Sequence, residues 1–291
     1  MIDSHTHLSN QQLATNLDFF LNNFQQNGGK ALLNLAYDIE SAYTVINQAK
    51  ENTTDIKIYT GVGLHPELFM NSPHLLQTYT TYPKLTKVLN QLKKIIEQNI
   101  SRINAIGEIG LDYFQLERLQ LSRKKKSLYM ELQRQAFRKQ LELAQRYNIP
   151  VSIHTRDLEN RDLCIQDTLE ILAEVGAGSL RGSFHSYTGP TKYIKDITNY
   201  GFFVGFNGII TYKNADNVRQ NLKATPLEKI LLETDAPYLP PQSVRKNKKA
   251  LIHFGQPADI KIIAEYAATI LNIKTEKLFN ITTNNFFKLV E

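Results

Sequence analysis

Cysteine occurs once in the 291 residues, at position 164. One thiol builds neither an intramolecular disulfide framework nor a cysteine-based zinc ribbon, and a reducing cytoplasm is the expected location. No stretch approaches the ~20 apolar residues that span a bilayer. The opening Met1-Ile2-Asp3 carries no basic, apolar leader. Internal repeats, low-complexity tracts and domain linkers are missing too. So is the early glycine-rich turn that a nucleotide-binding doubly wound sheet would use. Acidic residues are outnumbered, 28 against 34 Lys and Arg, leaving a net charge of +6. That balance suits a polyanionic partner such as nucleic acid. Its local sources are Arg123-Lys124-Lys125-Lys126 and the group Arg245, Lys246, Lys248 and Lys249, which read equally well as solvated loops.

What is present is core material and a regular alternation. Hydrophobic residues make up 42% of the chain, enough to exclude wholesale disorder. Short apolar runs read as buried parallel strands at Met1 to Ser4, Ala31 to Leu35, Ile56 to Gly61, Ile103 to Ile106, Ile149 to Ile153, Leu180 to Phe184, Phe202 to Gly205 and Ile230 to Leu232. Amphipathic helical patterns lie between them, clearest over Leu128 to Tyr147 and similar at Leu85 to Glu97 and Leu163 to Val175. Pro257 opens a further helix, and a last one covers about Thr282 to Val290. Eight β-then-α units predict an α/β fold, a single-domain TIM (β/α)8 barrel over 1–291 with C-terminal helices. Enlarged loops are expected at Pro66 to Tyr82 and Phe114 to Ser127.

The chemistry-bearing residues fall at the ends of these strands. His5 and His7 follow the first, His65 the third, Glu108 and Asp112 the fourth, His154 the fifth, His185 the sixth, and Glu233 and Asp235 the eighth. In a barrel those ends surround one pocket. His5-Thr6-His7 puts two imidazoles on one face of a strand, as a metal requires, although a surface His-x-His has the same spacing. Glu108, between Gly107 and Gly110, can bridge two cations with its two oxygens or serve as a helix cap. Asp235 reads as a ligand or as a cap before Pro237. Mixed imidazole and carboxylate donors suit Zn²⁺, Mn²⁺, Fe²⁺ or Mg²⁺, and a cluster this large exceeds one tetrahedral ion. Two ions sharing Glu108 is the natural count. His74 and His253 have no assignable role and are expected at the surface.

The ordered motifs Asp3-Ser4-His5-Thr6-His7, Gly63-Leu64-His65-Pro66, Gly107 to Tyr113, Pro150 to Asp157, Phe184 to Tyr187, Gly205 to Gly208, Glu233 to Tyr238 and Thr282 to Phe287 resemble the TatD-type metal-dependent deoxyribonucleases. The resemblance covers nearly the whole chain. It implies a TIM barrel and two divalent ions: one on His5, His7, Glu108 and Asp235, the other on Glu108, His154 and His185. It implies Glu233 behind them as support for a further ion and His65 near the scissile phosphate. It also implies Arg156, Tyr212 and Lys213 at phosphate oxygens. The chain departs at Phe254-Gly255-Gln256-Pro257, where the family carries a basic segment ending Arg-Asn-x-Pro. Substrate anchoring is the property that this departure touches.

The implied activity is hydrolysis of DNA phosphodiesters, exonucleolytic on single strands, with Asp235, Glu108 and His65 as the catalytic set and Mg²⁺, Mn²⁺ or Zn²⁺ as cofactor. Water would lose its proton to Asp235 and attack phosphorus in line. The aromatics Tyr113, Phe114, Tyr187, Tyr212 and Tyr238 either stack unpaired bases at the rim or pack the loops. Two rivals stand beside this reading. A small-molecule amidohydrolase or lactonase on the same barrel would bind without strong salt dependence. A non-catalytic nucleic-acid-binding subunit would bind DNA without metal-dependent turnover.

Overall fold

In the computed structural model the described residues are 1–72, 75, 77–158, 161–176, 178–247 and 251–291. Among them eight strands form one parallel sheet in sequence order: β1 (Ile2–Thr6), β2 (Ala31–Leu35), β3 (Lys57–Val62), β4 (Ile103–Asp112), β5 (Val151–Arg156), β6 (Gly182–Phe184), β7 (Phe203–Phe206) and β8 (Ile230–Leu232). The bridge from Thr6 to Ala236 brings the last strand back to the first, making the TIM barrel. Helices run between and after the strands: α1 (Gln11–Ala14), α2 (Leu17–Gln26), α3 (Ile39–Glu51), α4 (Tyr82–Gln98), α5 (Tyr113–Arg118), α6 (Arg123–Tyr147), α7 (Leu163–Gly176), α8 (Ile194–Asn199), α9 (Asp216–Ala224), α10 (Gln242–Lys246), α11 (Ile260–Leu271) and α12 (Thr275–Val290). None of them is long and apolar enough to cross a membrane.

Local chemistry sets these boundaries. Asp38 and Ser41 form a reciprocal capping box at the start of α3. The Ser122 hydroxyl accepts from Lys125 N–H to start α6, and Asn148 ends it in the left-handed region at φ 52°. The basic run Arg123 to Lys126 is therefore the first turn of α6, and the segment expected as a loop from Phe114 to Ser127 is mostly helical. Lys248 and Lys249 of the second basic group, and His74, lie outside the described residues.

Two cores divide the barrel. Helix faces pack on the outside of the sheet around Leu92, Leu132, Phe137 and Ile263. Inside, Leu33, Leu35, Tyr59, Phe203 and Leu231 meet Phe286 and Leu289 of α12, which stoppers the N-terminal end. The opposite end, where the strands finish, is left for the polar residues.

Two strands run further than their apolar patterns do. β4 continues through Gly107-Glu108-Ile109-Gly110 to Asp112, and β5 through His154 to Arg156. Glycine makes this extension feasible. Gly110 pairs with His154 at φ 140°, and a Cβ there would sit 2.0 Å from the His154 carbonyl oxygen. Pairing shifts register between Asp3 and Thr6 in β1 and between Ile106 and Ile109 in β4. Such irregularities re-aim side chains, and these two bracket His5 and Glu108.

Candidate metal centre

The C-terminal ends of the strands surround a cavity of about 610 Å³ whose walls include His7, His65, Glu108, Asp112, His154, His185 and Asp235. His5 lies beneath, fully buried. Glu108 stands at the middle, and its two oxygens face different neighbours. Oε2 is 3.5 Å from His5 Nε2 and 3.3 Å from His7 Nε2. Oε1 is 2.8 Å from His154 Nδ1 and 3.5 Å from both His65 Nε2 and His185 Nε2. Asp235 Oδ1 completes the first side, 3.4 Å from His7 and 3.7 Å from His5.

The ring nitrogens facing away from this centre have partners that fix the rings. His7 Nδ1 lies 2.9 Å from the Leu35 carbonyl, so it must donate, leaving Nε2 to point inward. His5 Nδ1 pairs with the Ser152 hydroxyl at 3.1 Å. His154 Nε2 meets Asp112 at 3.0 Å. His185 stacks on His5 with ring centroids 3.6 Å apart, and its Nδ1 lies 3.0 Å from Glu233 Oε1 without the alignment of a hydrogen bond. Glu233 itself accepts from Ser186 N–H at 2.6 Å, and Gly205 makes room for it, since a Cβ there would meet the carboxyl at 2.3 Å.

Asp235 is placed by the barrel seam. Its N–H donates to the His5 carbonyl at 2.9 Å, and His7 N–H donates to the Ala236 carbonyl at 2.8 Å. Below them, the buried Asp3 carboxyl accepts from the Thr234 N–H and hydroxyl. Asp235 and Ser186 both take left-handed backbone, at φ 56° and 46°. Such conformations collect where surrounding structure over-determines a functional loop.

Protein groups alone divide the charges unevenly. Burial opposes ionisation of Glu108, but His65, His185, His154 and His5 hold its carboxyl well below the ordinary range. Burial likewise disfavours the His7 cation, yet Asp235 and Glu108 lift it to about 10. Burial and the neighbouring His185 push His5 down to about 4. His154, desolvated but held between Asp112 and Glu108, rises to about 10.

These residues suit divalent cations on the structure's own terms. His5 and His7 turn their Nε2 atoms on each other at 3.1 Å, a distance that leaves two lone pairs repelling unless a proton or cation lies between them. Donor atoms converge in three sets: His5, His7 and Asp235; His5, His185 and Glu233; and His65, Glu108 and His154.

Each expected ligand is thus in one cluster. His65 stands as close to Glu108 Oε1 as His185 does. The expected phosphate contacts separate. Arg156 lines the cavity. Tyr212 and Lys213 are not among its walls: the Tyr212 hydroxyl donates to the Pro240 carbonyl at 2.9 Å, and Lys213 is exposed. Tyr113 and Tyr187 are core residues, their hydroxyls spent on Asp167 and the Pro190 carbonyl. Tyr238 is the rim aromatic, 48% exposed, with its ring 5.8 Å from that of His7. His253 is exposed. The departing segment has a structural task. Gly255 N–H donates to the Pro237 carbonyl, and Gln256 accepts from Asn23 of α2, tying the Asp235 loop to the barrel wall. The sequence places Asp112, in the Gly107 to Tyr113 motif, at the pocket without naming its partner, and it does not single out Ser152 or Tyr37.

Comparison with known proteins follows the same lines. The profile of the family described as TatD related DNase matches residues 2–291. An uncharacterised metal-dependent hydrolase, BU355, of Buchnera aphidicola is 32% identical, over 98% of this chain and 97% of its own. The human deoxyribonuclease TATDN3 is 29% identical, over 99% of this chain and 94% of its own. In fold, the crystal structure of the Escherichia coli TatD homologue YJJV superimposes with a TM-score of 0.79 at 23% identity, covering 100% and 97% of the two chains. With a barrel, a carboxylate-centred histidine cluster and a match along its whole length, the chain belongs to the TatD related DNase family.

Proposed function

We propose that this chain cleaves phosphodiester bonds of single-stranded DNA from an end, using two divalent ions that share Glu108. At the coarser level it is a metal-dependent hydrolase of its family. The observation that carries the finer reading is the division of Glu108: one oxygen toward His5 and His7, the other toward His154, His185 and His65. In this proposal His5, His7, Glu108 and Asp235 would hold one ion, and Glu108, His154 and His185 would hold the other, as Mg²⁺, Mn²⁺ or Zn²⁺. Glu233, beside His185, supports the second group and is the candidate for a further ion. The names of the TATDN3 proteins of mouse and human support a DNA substrate.

Bound divalent ions supply Lewis acidity at the phosphate and ease the ionisation of water. Asp235 takes the proton of the attacking water. The new bond forms between water oxygen and phosphorus, the bond from phosphorus to the 3′ oxygen breaks, and that oxygen takes up a proton from water to leave as a hydroxyl. His65, on the cavity wall, offsets charge on the phosphate and the leaving oxygen. Arg156, on the cavity wall, is the nearest of the three proposed phosphate contacts, with Tyr212 and Lys213 further along the strand's path. The net charge of +6 draws the strand in, and the buried Cys164 suits a cytoplasmic setting.

The test is end-labelled single-stranded DNA incubated with Mg²⁺, Mn²⁺ or EDTA, beside Glu108→Gln protein. The expected result is a metal-dependent ladder of shortened products that both EDTA and the substitution abolish. Intact DNA with every metal, from protein that carries metal, overturns the reading in favour of a small-molecule hydrolase.

A further inference from the structure

Arg156 ends β5 on the ridge between two cavities. The larger holds the metal centre. The smaller, about 260 Å³, lies between the segments following β5 and β6 and shares Thr155, Arg156 and Thr188 with it. The ridge guanidinium is held without an ion pair. It sits over the Phe114 ring of α5, 4.1 Å from the centroid, and Arg118 approaches the same ring at 5.5 Å. Among the described residues, no carboxylate or acceptor engages the guanidinium of Arg156 or Arg118. Among the described residues the nearby acids have other partners: Glu117 pairs with Lys126 and Arg161, and Asp157 accepts from the N–H groups of Leu158 and Cys164.

An aromatic plane that fixes an unpaired guanidinium leaves its donors ready for a phosphate. Beyond the ridge, Leu158, Ile165 and Pro190 offer apolar walls, and Asp157, Thr188 and Asn217 offer hydrogen-bonding groups. Arg161, paired with Glu117, completes the wall, and the mixture suits a planar, polar-edged base that carries a phosphate.

We propose that the smaller cavity is a second nucleotide subsite: it receives the nucleoside adjoining the scissile phosphate, and Arg156, steadied on Phe114, grips the linkage crossing the ridge. The proposal rests on the nuclease reading for the strand's orientation but makes its own claim, that a neighbouring base is recognised in a cavity other than the one lined by the metal ligands. Phe114 and Arg118 then act as positioning residues for Arg156.

The test reads binding, so it survives failure of the hydrolytic reading. Fluorescent oligothymidylates with phosphorothioate linkages, which resist cleavage, are titrated with Mn²⁺-loaded protein and followed by anisotropy. In separate sets the base on either side of the first linkage, or on either side of the last, is replaced by an abasic residue. Loss of one of these bases is expected to raise Kd about fivefold to tenfold, in line with the worth of a single base contact. Leu158→Trp, which fills the cavity, should erase that difference, and Phe114→Ala should weaken every oligonucleotide; thermal melting certifies that both fold. Equal affinity for intact and abasic strands overturns the proposal, as does a base effect that persists in Leu158→Trp. Cleavage of unmodified strands, measured alongside, reports separately on the nuclease reading.

Discussion

At the scale of single residues, the centre depends as much on the groups behind the donors as on the donors. His154 is held at both ring nitrogens, by Glu108 and Asp112. Asp112→Asn is expected to weaken metal binding about 10-fold to 100-fold, the usual effect of losing a partner behind a ligand, as titration calorimetry with Mn²⁺ would register; unchanged affinity would remove Asp112 from the centre. The donors were legible because each follows a short apolar run, and a parallel barrel gathers such positions at one end. Their supporting partners were not. Ser152 and the Leu35 carbonyl reach the site by cross-strand register, which no spacing within one motif encodes. Tyr113 and Tyr187 stand beside motif residues yet belong to the core, because adjacency in sequence says nothing of which face a ring takes.

At the scale of elements, the strands were readable where they are apolar and too short where they turn polar. β2 and β8 match their runs, whereas β4 outlasts its own by six residues because glycine, a poor strand former, here allows close approach to β5. Gly110→Ala should therefore cost roughly 3 kcal/mol or more, combining a strained φ with a clash against backbone; a melting temperature within a degree or two of the parent would contradict this. A second expectation concerns the entry to α11. Burial raises the Asp259 carboxyl to about 7, against an ordinary value of 3.8, although it accepts from Gln256 N–H. The folded state then binds more protons than the unfolded one between those values, so this group's contribution to stability falls as pH rises from about 4 to 7. Melting curves across that range should slope downward, and Asp259→Asn, which keeps an acceptor but cannot ionise, should flatten them. A slope identical in the variant would show that other groups set it.

At the scale of the whole molecule, charge and metal act together. Cations bind only where the folded barrel gathers the donors, so chelation is expected to lower the melting temperature by several degrees and added Mn²⁺ to restore it. Indifference to EDTA would mean that the cluster is held by its own ion pairs alone. Affinity for single-stranded DNA should fall steeply between low and moderate salt, as counterion release requires; a flat response would favour a small neutral substrate.

The seam between β1 and β8 also has a temporal meaning. Thr6 and Ala236 meet across 230 positions of chain, and that junction sets Asp235 beside His5 and His7. A growing polypeptide holds five of its six proposed ligands long before the sixth emerges, yet the first strand has no seam to join. Contacts of such long sequence separation are costly in loop entropy and form late. Activity should therefore appear only after the segment carrying Asp235 has joined the first strand, however early the other five ligands are made.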